Sequence, residues 1–353
     1  APYTSFSFER NDECLALWQN KMKRMTLFPY EQISAYFREN FEGVTEIGGK
    51  KLSWSVYDGT LFFSLSEINN HSDDGRLVSE EVVMEFIHPG LQHVTPELAA
   101  RVNKWCTLSA FIPATDNEPG KLVAKVGIFS TDGEAAERVY APLIAMEAAS
   151  VCWHAACLSA GRFEVDPESS PFSNTDKMPP YTQADFELVK SMIDKQGFAG
   201  SLGDRHYTVE FAWDIGAISS SFQSAEFQEH AREAGYTDEQ IAIAGGRTSL
   251  FQIMLIRHPM YGWGLQARLE LPISPESESA VALVDELNRW ELSTPELPPL
   301  FGSWCVGERA ATFLTFIPTQ MSLPGLVHNL TFWNMVRHFR VRDWLEGGTV
   351  TKH

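Results

Sequence analysis

Val102-Asn103-Lys104-Trp105 and Leu287-Asn288-Arg289-Trp290 are nearly the same phrase written twice. Each reads as the end of a helix. Each is followed by two apolar runs and a last long helix. Ahead of the first, Pro29-Tyr30-Glu31-Gln32 opens a helical stretch, and Pro180-Tyr181-Thr182-Gln183 opens one ahead of the second. Repetition over such a span means two copies of one domain, not a solenoid of short units. From Pro29 to Asn103 is 103 − 29 = 74 positions, and from Pro180 to Asn288 is 288 − 180 = 108. The second copy is longer by 108 − 74 = 34 positions, and an inserted segment near 224–246 accounts for most of them. Insertions into surface loops cost little, because closure entropy grows only slowly with length.

Apolar spacing and turn residues give the element order. In the first copy a helix runs from Pro29 to about Phe41 and Gly48-Gly49 breaks the chain. A strand from Leu52 turns at Asp58-Gly59 into a second, and Leu77 to Ile87 reads as a third. Pro96 starts the middle helix. Two more strands flank a turn at 115–120, and an Ala-rich helix runs from Asp132 or Glu134 to about Ser159. The second copy repeats this order. Tyr207 to Trp213 is its first strand, Ser277 to Leu292 its middle helix and Leu323 to Leu345 its closing helix. The expected organisation is an N-terminal amphipathic helix over 1–28, a first domain over 29–163, a linker over 164–180 rich in Pro, Ser and Asp, and a second domain over 181–353. The expected class is α+β: two tandem copies of an antiparallel sheet packed by helices.

The chain has 353 residues, 44% hydrophobic and 21% charged, enough for two domains with cores of their own. A net charge of -18 opposes binding to nucleic acid, which relies on Lys and Arg against phosphate. It equally opposes anionic membrane surfaces and favours a basic partner segment. Five scattered cysteines do not form an even disulfide framework and point to reduced thiols in the cytoplasm. Residues 310–336 lack Asp, Glu, Lys and Arg, yet Pro318, Gln320, Pro324, His328 and Asn329 interrupt them. They read as a buried strand, a turn and a core helix rather than a membrane span.

Signals for chemistry are sparse. Gly120-Lys121 is followed by Leu122 and makes no phosphate loop. Gly262-Trp263-Gly264 precedes strand-like residues and reads as a hairpin turn, not a dinucleotide fingerprint. Cys152, His154 and Cys157 lie two, three and five apart, which does not converge on one helix face. They read as buried helix residues rather than metal ligands. His88-Pro89 and His258-Pro259 look like a further echo. The plain reading is turn residues at strand ends. The sharper one is a pH-sensitive or metal site where the copies meet. No catalytic residue, metal ligand or cofactor is predicted. The best candidate contact surface is the stripe Leu15, Trp18, Met22 and Met25, since Met and Trp give adaptable, strongly desolvating contacts.

The element order, with Asn103 and Asn288 late in each middle helix, resembles the type III secretion chaperone-like fold. It is closest in style to the YbjN-like bacterial proteins, including tandem versions. The resemblance covers about 29–160 and 180–345 and implies non-catalytic binding of proteins or peptides. A fused pair would replace a homodimer, so a monomer is expected. The rival classes are a ligand- or metal-binding protein or enzyme with its site at the junction, and an immunity-type or regulatory protein that masks a basic partner.

Overall fold

The computed structural model describes residues 30–56, 58–70, 77–105, 108–128, 178–198, 200–212, 248–258, 262–273, 280–294, 302–319 and 325–347. Within them the chain forms two six-stranded antiparallel sheets with helices packed on them.

The first copy begins with α1 (Tyr30–Asn40), followed by β1 (Thr45–Glu46), β2 (Lys51–Val56), β3 (Gly59–Asn70) and β4 (Leu77–Ile87). Then come α2 (Pro96–Val102), β5 (Ala110–Ile112) and β6 (Lys121–Ile128). The second copy has α3 (Gln183–Lys195), β7 (Gly200–Gly203), β8 (His206–Ala212), β9 (Thr248–His258) and β10 (Gly262–Glu270). It continues with α4 (Ala280–Ser293), β11 (Ser303–Val306), β12 (Ala311–Pro318) and α5 (Leu326–Gly347).

The first sheet runs β1-β2-β3-β4-β6-β5, and the second, taken from its far edge, runs β7-β8-β9-β10-β12-β11. First, second, third, fourth, sixth, fifth is thus the strand order in both. That identity of order is consistent with two tandem copies and supports a duplication more strongly than the short repeated phrases do.

Each sheet has four strands before its middle helix, where the sequence pattern showed three. The added strands, β1 and β7, are edge strands of two and four residues, too short to display alternation. Gly48-Gly49 is therefore not a simple break but the turn joining β1 to β2, with φ of 105° and 59°. Glycine takes that left-handed backbone at no steric cost. In the second copy Arg205, at φ 61°, occupies the corresponding turn. The Asp58-Gly59 hairpin and the strand from Leu77 to Ile87 stand as expected.

Alternation then divides each sheet into faces. Leu52, Trp54, Leu61, Phe63, Met84 and Phe86 share the buried face of the first sheet. Phe37 of α1 packs there, with ring centroids 5.0 Å from Trp54 and 5.2 Å from Phe63. In the second copy, Tyr207, Val209, Phe211, Phe251, Ile253, Leu265 and Leu269 form the matching face. Phe186, Val189 and Ile193 of α3 cover part of it, at helical spacing. Thr182 starts α3, and the Asp185 carboxylate accepts from its backbone N–H at 2.7 Å and its hydroxyl at 3.0 Å.

The copies do not sit apart. Ala100, Leu108, Ala110, Ile112 and Val123 of the first belong to the same apolar core as Val284, Leu287 and Trp304 of the second. Middle helix meets middle helix, and α2 packs on β11 as α4 packs on β5. Fully burying a side chain such as Ile112 contributes about 1.5–3 kcal/mol, so removing one copy would strip the other of a share of its core.

Candidate functional site

The repeated asparagines prove to be paired backbone clamps. Asn103 closes α2, where its Oδ1 accepts the Phe111 N–H at 2.6 Å and its Nδ2 donates to the Phe111 carbonyl at 3.2 Å. Asn288 lies within α4 and treats Trp304 the same way, at 2.8 and 2.9 Å. A carboxamide carries one acceptor and one donor group side by side, so it can stand in for the next strand. Phe111 and Trp304 lie in β5 and β11, the edge strands that face the junction. Each Asn therefore satisfies backbone groups that an edge strand would leave unpaired where no water reaches. Serine or alanine is too short to bridge both groups, which gives the recurrence of Asn a physical reason.

Around these clamps the copies exchange polar contacts. Ser303 Oγ donates to the Asn103 carbonyl at 2.7 Å, and an Arg289 guanidinium nitrogen donates to the Pro113 carbonyl at 2.7 Å. Arg289 also pairs with Asp285 one turn earlier, at 3.0 Å. Lys104, the residue matching Arg289, acts on Cys305 of the other copy. Burial pushes the Cys305 thiol up to about 12, while Lys104 and then Arg268 pull it down.

A buried ionic cluster crosses the junction. Lys125 of β6 is 1% exposed, and its ammonium donates to the carbonyls of Glu291 at 2.8 Å and Thr294 at 2.7 Å. Those carbonyls lie at the C-terminal end of α4, which lacks intrahelical donors and carries partial negative charge. The Glu291 side chain turns the other way. Its oxygens accept from Arg337 Nε at 2.8 and 2.9 Å, and one accepts from Trp304 Nε1 at 2.6 Å. Arg337 also reaches Asn334 Oδ1 at 3.2 Å and lies over the Phe313 ring, 3.6 Å from its centre. Burial raises the Glu291 carboxyl above the usual range. Arg337, the Trp304 indole and Lys125 oppose that rise. Burial likewise lowers Arg337, against Glu291. With Glu291 at 0% and Arg337 at 1% exposure, this ion pair is closed off inside the second copy, and the contact that crosses to the first is Lys125 on the carbonyls at the end of α4.

His88 and His258 are not equivalent, so that echo is corrected. His88 follows β4 and accepts from the Gly90 N–H at 2.9 Å through Nδ1. His258 ends β9, one strand earlier in the order, with its ring 4.9 Å from Phe316. A shared His-Pro pair arose at two different turns, so no pseudo-symmetric histidine site follows from it. Among the described residues, no three His, Cys, Asp or Glu side chains form a group able to hold a metal ion. No described helix is long and apolar enough to cross a membrane. Gly262-Trp263-Gly264 is not the turn but the start of strand β10, paired with His258, Arg257 and Ile256 of β9, so that reading is corrected: the three residues belong to an arm of the hairpin.

On the second sheet, a small depression is lined by Glu210, Leu250, Glu270, Pro272 and Arg309, among others. The Glu270 carboxylate pairs with Arg268 along the same strand. Leu15, Trp18, Met22 and Met25 lie outside the described residues, as do Cys152, His154, Cys157, the Ala-rich helix and the 224–246 insertion. The sequence reading missed Lys125, Glu291 and Arg337. Lys125 left one signal, a lone charge in the apolar strand Leu122-Val123-Ala124-Lys125-Val126. No family model, curated protein or solved structure matches the chain.

Proposed function

We propose that this chain is a non-catalytic binding protein, chaperone-like or adaptor-like, that presents two fused copies of one domain as a single body to a protein or peptide partner. The observation that carries this reading is the junction. Its core is shared, its edge strands are capped by Asn103 and Asn288, and its charges are closed in by Lys125, Glu291 and Arg337. Such a junction spends its polar groups on joining copies, as a dimer interface does. The reading agrees with the resemblance to YbjN-like bacterial proteins, with a cytoplasmic setting and with a monomer, since the internal pair replaces a second chain. The charge of -18 directs the partner class toward basic segments.

The test is isolation of the chain from its native cells after mild cross-linking. A single stoichiometric protein partner is the expected result. Recovery of the chain with a bound small molecule or metal, and no protein, refutes the reading. Light scattering that shows an obligate dimer refutes the monomer.

A further inference from the structure

We draw no further inference here: the strongest candidate, the exposed apolar pair Leu188 and Met192 on the outer face of α3, carries nothing because nothing in the structure shows what covers it.

Discussion

Replacing Asn288 with Ala tests the central structural argument most directly. The side chain is 1% exposed and bridges the N–H and C=O of Trp304, which is itself 0% exposed. Alanine leaves a buried donor and a buried acceptor without partners. Each such group costs about 1–3 kcal/mol, so the pair costs about 2–6 kcal/mol if nothing replaces the amide. A water settling in the vacated space would recover part, which puts the expected loss near 3 kcal/mol. Asn103→Ala breaks the same bridge to Phe111 and is expected to cost the same within about 1 kcal/mol. Guanidinium denaturation followed by tryptophan fluorescence measures both, and the shared core should give one transition for the whole described body. Asn288→Asp should be no milder than Ala, because it keeps the acceptor, loses the donor and buries a charge. Losses below about 1 kcal/mol for both alanine variants would refute the clamp argument. A large loss at Asn288 with none at Asn103 would refute the equivalence of the copies.

Other outcomes follow from the junction. Lys125→Met is expected to lower stability by about 1–3 kcal/mol for each of the two carbonyls at the end of α4 that it leaves without a buried donor, whereas Lys121→Met, at a partly exposed pair with Glu85, should cost less than about 1 kcal/mol in the same denaturation assay. Cys305, raised from 9.0 to about 12, should resist iodoacetamide at pH 8 in the native protein and react on unfolding, as read by mass spectrometry of its peptide. Because the fold favours the protonated thiol, that contribution to stability is fully present below pH 9 and is lost as pH rises toward 12. A denaturation series across that range should show Cys305→Ala flattening the decline.

The duplication was legible because helix-ending Asn-basic-Trp phrases and paired apolar runs survive as local patterns. The α+β class and most strands follow from alternation. Strands β1 and β7 were not legible, since two to four residues carry no period. The helix starts are a partial case. Tyr30 lies within α1 and is buried, while Tyr181 precedes the Thr182 cap, so the two Pro-Tyr phrases mark equivalent helices at different turns. The ionic cluster was out of reach because Lys125 and Glu291 are 166 positions apart, and pairing across that distance is a property of the fold. The apolar pair on α3 was hidden for the opposite reason. Leu188 and Met192 sit beside Val189 and Ile193, and sequence alone does not say which pair faces inward.

In a homodimer every substitution is made twice, so a residue that suits one subunit must suit its mate. Joining the two copies in one chain lifts that constraint. Ser303 shows the freedom at small scale: it donates to Asn103 across the join, and the matching position in the other copy is Ala110, which has nothing to donate. A molecule of this kind can specialise one flank and leave the other plain, which no symmetric assembly of identical chains can do.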